Sequence, residues 1–284
     1  MGKQFKKLEN LVKSAVYRDA VEALKETLRS RILDIFDSDW DRIRNKHNIY
    51  TIVARAKDPK RTLGKFKTML NEIDPRTGQK KFTITEKDFY KHIPDLVAAR
   101  LVVVDAADIF DVAQLVRGAF VSPRFEKPEL PHLQPYRVRC STMSTYDTKK
   151  FEQAGYTIDD EPGGYHSVHF VFRVGSDFLN GETGCTREKK ATVLELDAEG
   201  IIPKDAWTVE IQIRTLIDEA WSETDHFLRY RDAGLKGDVE IRAQFAALSA
   251  YLQAANHHVS LIRQSIRRME SQKTRKRGRN GNQR

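Results

Sequence analysis

Apolar residues recur at three- and four-residue steps from the start of the chain: Leu8, Leu11 and Ala15, then Val21, Leu24, Leu28, Ile32 and Ile35. That spacing predicts amphipathic helix for the N-terminal stretch. Asp37-Ser38-Asp39 punctuates it, and Trp40-Asp41-Arg42-Ile43 opens a short second helix. His47 to Arg55 reads as a strand that delivers Arg55 and Lys57 to a loop containing Pro59, and Arg61 to Leu70 reads as the helix after it. Leu96 to Val104 is a nearly unbroken apolar run, the signature of a buried central strand. Ala107 to Phe120 follows as a helix on Ile109, Val112, Leu115 and Val116. From Ser122 to Pro162 the pattern fades, with four prolines between Pro123 and Pro135, and a long functional loop is expected. Strands resume at His166–Val174, Ala191–Leu196 and Trp207–Arg214, and Thr215 to Tyr230 reads as helix. A last long helix spans Val239 to Met269, with the stripe Ile241, Phe245, Leu248, Leu252, Val259, Ile262, Ile266 and Met269. This stripe suffices either for core packing or for a partner, so the pattern leaves the oligomeric state open, a homo-oligomer included.

Two segments of this pattern carry candidate chemistry. In Val209 to Arg214 the apolar Val209, Ile211 and Ile213 face one way, while Glu210, Gln212 and Arg214 face the other. A carboxylate, an amide and a guanidinium on one sheet face mean either a solvent face or a polar site. In Gly164-Tyr165-His166-Ser167-Val168-His169 an aromatic ring follows two glycines and leads into a histidine-bearing strand. A ring beside a closely approachable backbone suits stacking on a flat ligand. Ser167 sits mid-strand without the sharp turn of a nucleophile, and His257-His258 lack the partners of a metal site.

Charge narrows the class. Charged residues make up 31% of the 284, and no apolar run approaches the roughly 20 residues of a membrane span. A cytoplasmic location without membrane contact is expected, with Cys140 and Cys185 as reduced thiols. The net charge of +9 is uneven: six cations and no anion lie from Gln272 onward, leaving the body near +3. Residues 272–284 hold no large apolar side chain and read as a disordered basic tail able to attract tRNA or a ribosome.

Five pieces stand in order: Arg55-Ala56-Lys57 with Lys65; Asp95 through Arg100; Gly164 through His169; Glu210 through Thr215; and Trp221-Ser222-Glu223-Thr224-Asp225-His226 with Tyr230. Over roughly residues 40–232 this series resembles the synthetase domain of the RelA/SpoT family, in its small, hydrolase-lacking form. The resemblance implies an α/β (α+β) fold, a mixed β-sheet flanked by helices like the polymerase-β-like nucleotidyltransferases. It divides the chain into an N-terminal helical segment (1–38), the synthetase domain (39–238), a C-terminal helix (239–271) and the tail (272–284).

By the same resemblance the activity is transfer of the β,γ-pyrophosphate of ATP to the 3′-hydroxyl of GDP or GTP. Asp95 and Glu210 are then the catalytic carboxylates that hold Mg²⁺, and Arg55, Lys57 and Lys65 contact ATP. Tyr165, His169 and Gln212 face the acceptor, with Arg100, Arg214 and His226 in support. One departure stands out. The family's Lys-Pro-Asn-Gly run ahead of the tyrosine is Glu161-Pro162-Gly163-Gly164 here, which reverses a charge at the acceptor side. Toxin-type relatives, which pyrophosphorylate tRNA or make adenosine alarmones and pair with an antitoxin, supply one alternative. A non-catalytic nucleotide- or RNA-binding module supplies another.

Overall fold

The computed structural model describes residues 3–36, 48–80, 92–120, 125–126, 136–140, 144–161, 164–174, 207–228 and 238–281. Helices α1 (Lys3–Lys13) and α2 (Ala15–Ile35) lead to β1 (Ile49–Ala56), α3 (Pro59–Asn71), β2 (Val97–Val103) and α4 (Ala106–Phe120). Strands β3 (Phe125–Glu126) and β4 (Tyr136–Cys140), the short α5 (Thr148–Gln153), β5 (Thr157–Asp160) and β6 (Ser167–Val174) follow. The chain closes with β7 (Trp207–Thr215), α6 (Leu216–Leu228) and α7 (Val239–Gly281). The strands form one mixed sheet in the order β1-β2-β7-β6-β4-β5, with β3 beside β6. β2 and β7 run parallel, as do β4 and β5, and the β1–β2, β4–β6 and β6–β7 pairs are antiparallel.

Register separates the two faces of this sheet. Leu101 pairs with Ile213, Ile213 with Val168 and Val168 with Val138, so one face is apolar across four strands. α2 and α4 cover that face, burying Leu24, Leu28, Ile32, Ile109, Val112 and Val116 to at most 1% exposure. Tyr17 of α2 stacks on Trp207 at 6.4 Å, and Phe120 of α4 on Phe172 at 5.2 Å. The opposite face lines up Arg100, Gln212, His169 and Arg137 by the same register, with Arg55 and Glu210 one row away on either side of Ala98. α6 and α7 lie over part of this polar face.

The fold matches the mixed-sheet expectation and departs from the sequence pattern in two places. Within Ser122–Pro162, read as a loop, β3, β4, α5 and β5 are formed. β4 buries Tyr136, Val138 and Cys140 in strict alternation with Arg137 and Arg139, a pattern too short to stand out between the prolines around it. Cys140 is a free thiol, and burial pushes its pKa up to about 11. The expected disordered tail is helical as far as Gly281. Gln, Lys and Arg are good helix formers, and a helix already propagating extends through them. The short helix at 40–43, the strand at 191–196, Cys185 and Tyr230 lie outside the described residues.

Phe170 lies at the centre of the apolar layer, fully buried among Tyr136, Tyr156 and Phe172. Phe170→Ala should cost about 3–5 kcal/mol of unfolding free energy, measured by urea titration. A loss below 1 kcal/mol would show that this layer is not the core the fold depends on.

Candidate active site

The turn from β1 into α3 places the first cations. Asp58 caps α3, its carboxylate accepting from the Lys60 and Arg61 amides at 2.9 and 3.1 Å, and Pro59 opens the helix. The Lys57 amide donates to the Leu96 carbonyl at 2.9 Å, which ties this turn to the segment entering β2. Asp95 is therefore bracketed by two ammonium groups. Lys57 pairs with one carboxylate oxygen, and Lys65, less than two helical turns into α3, reaches the other at 2.8 Å. Burial raises the Asp95 pKa, but Lys65 and Lys57 outweigh it and hold the carboxyl at about 2. Arg55, exposed at the end of β1, lies in the field of Arg100, Asp95, Glu210 and Arg214.

On the polar sheet face five side chains close a ring of hydrogen bonds. His169 Nδ1 lies 2.8 Å from Glu210 Oε1, and Gln212 Nε2 donates to Glu210 Oε2 at 2.8 Å. Arg214 Nη2 donates to Gln212 Oε1 and, at 2.8 Å, to the Tyr165 hydroxyl. The Tyr165 hydroxyl and His169 Nε2, 3.1 Å apart, complete the circuit. The proton positions follow from the network. An ionised carboxylate only accepts, so His169 carries its proton on Nδ1. Burial lowers the His169 pKa against the opposing pull of Glu210, so the ring is neutral and its bare Nε2 accepts from Tyr165. Glu210 is itself lowered: burial and Asp95 raise its pKa, but hydrogen bonds from His169 and Gln212 prevail.

Burial decides between the two readings of the β7 pattern. Glu210, Gln212 and Arg214 are 9%, 7% and 1% exposed, so this is a polar site and not a solvent face. Arg214, expected in support as an anion contact, is enclosed; its second Nη lies 3.0 Å from Glu219. Arg100 pairs with Glu219 at 2.8 Å and with Glu223. Both arginines thus fasten β2 and β7 to α6. His226 is exposed, with Arg61 at 3.4 Å. Trp221 is 3% exposed and meets Tyr165 edge-on at 6.3 Å, a wall of the site.

One residue without a sequence signal, Arg139, stands beside Tyr165. The Arg139 guanidinium lies over the Tyr165 ring at 4.9 Å, and Arg214 lies 5.1 Å from the same ring. Arg139 also pairs with Glu161, Nε to Oε1 at 2.8 Å. The reversed charge at Glu161 is therefore neutralised within the protein, and the pair stands beside the tyrosine.

Asp95 and Glu210 supply hard carboxylate oxygens in each other's electrostatic field. Mg²⁺ is usually held by one or two carboxylates plus substrate phosphates, and this donor pair fits that requirement. Among the described residues no group of three His, Cys, Asp or Glu forms a self-sufficient metal site. No described helix is long and apolar enough to cross a membrane.

Comparison with protein-family profiles and with curated proteins gives no match. Solved structures do match. A GTP pyrophosphokinase family protein from Streptococcus pneumoniae aligns over 95% of this chain and 97% of its own, at 19% identity and a TM-score of 0.50. The protein smu.1046c from Streptococcus mutans UA159 aligns over 90% of this chain and 95% of its own, also at 19% identity and 0.50. Small alarmone synthetase 1 from Bacillus subtilis bound to its product pppGpp aligns over 89% and 95%, at 19% identity and 0.48. The chain shares the overall fold of the two streptococcal proteins, a mixed sheet flanked by helices.

The Asp95 ion pairs predict an acid-sensitive contribution to stability. Its carboxyl is depressed below the roughly 3.9 of an unfolded chain, so the contribution of about 2 kcal/mol is complete above pH 4 and fades as pH falls through 2. The stability gap between wild type and Asp95→Asn, followed by denaturant titration, should narrow over that window. A gap independent of pH would mean that the pairing with Lys57 and Lys65 is not formed in solution.

Proposed function

We propose that this chain is a pyrophosphokinase that transfers the β,γ-pyrophosphate of ATP to the 3′-hydroxyl of GDP or GTP, yielding AMP and a guanosine alarmone. The observation that carries the reading is the pairing of two ionised carboxylates with two kinds of surroundings on one sheet. Asp95 is held between ammonium groups, and Glu210 is held inside a neutral ring of donors. The shared fold with the Streptococcus pneumoniae protein supports it by analogy.

In this reading the 3′-oxygen of the acceptor attacks the β-phosphorus of ATP, a new oxygen–phosphorus bond forms, and the bond to the α-phosphate oxygen breaks to release AMP. The reaction needs charge neutralisation and in-line placement more than covalent help. Arg55, Lys57 and Lys65 form the cationic side. Phosphates entering beside them offer the two lysines a second anion in place of Asp95, so binding exchanges one ion pair for another and does not desolvate a free charge. Mg²⁺, held by Asp95 and Glu210, supplies neutralisation of the phosphate oxygens when bound.

Glu210 receives the proton of the attacking hydroxyl. Its two oxygens are oriented by His169 and Gln212, which fixes the carboxylate against rotation. The hydrogen bonds from His169 and Gln212 keep Glu210 ionised, and so able to accept a proton, at neutral pH. Tyr165, half-buried beside the Arg139–Glu161 pair, provides the flat surface for the acceptor base. A second reading keeps the reaction and takes the 3′ end of tRNA as acceptor, favoured by the basic last turns of α7.

The deciding experiment offers GDP, GTP, ADP and deacylated tRNA in parallel to the purified chain with γ-labelled ATP. Label should arrive on GDP or GTP; label on tRNA alone would select the second reading, and no transfer to any acceptor would overturn both. Glu210→Gln should lower transfer at least about 100-fold in a chain that still folds, shown by a cooperative unfolding transition. Tyr165→Ala should raise the acceptor KM about tenfold or more with little change in the KM for ATP; equal rises would make Tyr165 a packing residue.

A further inference from the structure

Tyr165 is fixed by its neighbours on both sides, and both are held by the C-terminal helix. Gly164 adopts φ +85°, and a Cβ there would lie 2.3 Å from the Cβ and Oγ of Ser249 on α7. Ser249 Oγ donates to the Gly164 carbonyl at 3.2 Å. On the other side, His166 Nδ1 lies 2.7 Å from Gln253 Nε2 and 3.3 Å from Asp218 Oδ1. The Gln253 carbonyl oxygen accepts from the Thr145 amide at 3.2 Å, which orients its NH₂ toward His166 and Asp218.

Asp218 is the hub of this cluster. It accepts from Gln253 Nε2 at 2.8 Å, from the Tyr146 hydroxyl at 2.9 Å, from Thr215 Oγ1 at 2.6 Å and from Asn256 Nδ2 at 3.3 Å. Asp218, Gln253, Asn256 and His166 are each no more than 4% exposed. Thr215 directly follows Arg214, and His166 directly follows Tyr165. The two ring members joined by the Arg214–Tyr165 bond are therefore each followed by a residue anchored on one buried carboxylate.

We propose that Gln253, with Ser249, is a positioning residue: through Asp218, His166 and Gly164 it sets where the Tyr165 ring stands, so that α7 is part of the acceptor site. This rests on the function proposed above for Tyr165. A helix that served only to cover the core would use its apolar stripe for the purpose. Here the α7 residues most deeply buried include Ser249, Gln253 and Asn256, while Ile262, Ile266 and Met269 of the stripe are 62%, 45% and 54% exposed.

The test uses the full chain with Gln253→Met, which keeps the side-chain length and removes the hydrogen bonds, and Ser249→Ala as a milder variant. Two readouts are taken. Calorimetric binding of GDP should weaken about tenfold in Gln253→Met, while binding of a non-hydrolysable ATP analogue stays within about twofold. The ¹⁹F resonance of 3-fluorotyrosine at position 165, assigned by its loss in Tyr165→Phe, should shift in both variants. Should Gln253→Met fail to fold, Ser249→Ala carries both measurements. An unmoved Tyr165 resonance, or equal weakening for both nucleotides, would overturn the positioning role. Wild-type protein that binds neither nucleotide would sink the proposed function instead, and the resonance alone would then decide whether α7 positions the ring.

Discussion

The ring of hydrogen bonds through Glu210, His169, Tyr165, Arg214 and Gln212 is the constraint around which the polar half of the molecule is arranged. A carboxylate and a guanidinium this deeply buried are costly unless paired and hydrogen-bonded: Glu210 accepts at both oxygens, and Arg214 donates through one Nη and pairs with Glu219 through the other. Glu210, Gln212 and Arg214 come from one strand at two-residue spacing, and His169 stands directly opposite Gln212 on the next. Tyr165 lies just before β6 begins, and its hydroxyl both accepts and donates, so it joins a pure donor to a bare imidazole nitrogen. Each proton in the ring has one arrangement, and that arrangement keeps Glu210 ionised and His169 neutral.

Charge on the rest of this face is organised by pairing. Arg100 and Arg214 meet Glu219 and Glu223 of α6, Arg139 meets Glu161, and Lys57 and Lys65 meet Asp95. These pairs differ in what a ligand finds. The Arg214 pair is sealed beneath α6 and holds elements together. The Asp95 pairs are partly accessible, with the Lys65 side chain 39% exposed, so their cations are open to solvent. The same chemical pairing thus holds elements together where it is enclosed and leaves charged groups reachable where it is not, and solvent access separates the two.

α7 shows how burial can run against apolar pattern. Its stripe at three- and four-residue steps is a valid amphipathic signal, yet its later members are exposed. Toward the sheet it presents Ser249, Gln253 and Asn256, also at three- and four-residue steps, followed by Ser260 and Arg263, which bind Asp105 at the start of α4. A polar seam docks where the surface to be covered contains a buried carboxylate, because unmet hydrogen bonds there cost more than apolar contact returns.

By itself the sequence determined four strands of the sheet, β1, β2, β6 and β7, and the residue types on one face of β7. The alternation of Val209–Arg214 and the run Leu96–Val104 are local patterns, and period-two or continuous burial leaves its mark in any stretch long enough to read. The family resemblance singled out Asp95, Tyr165, His169 and Glu210, and the last three stand in one hydrogen-bonded ring. Only the tertiary structure decided that the β7 face is a buried site and not a solvent face, that β4 and β5 exist within the proline-rich stretch, and that Arg139 and Glu161 neutralise each other beside Tyr165. The physical reason is the same in each case. Whether a polar side chain is solvated, paired or enclosed depends on partners distant in sequence, such as Asp95 for Lys57 or Asp218 for Gln253, and no periodicity within a segment encodes them.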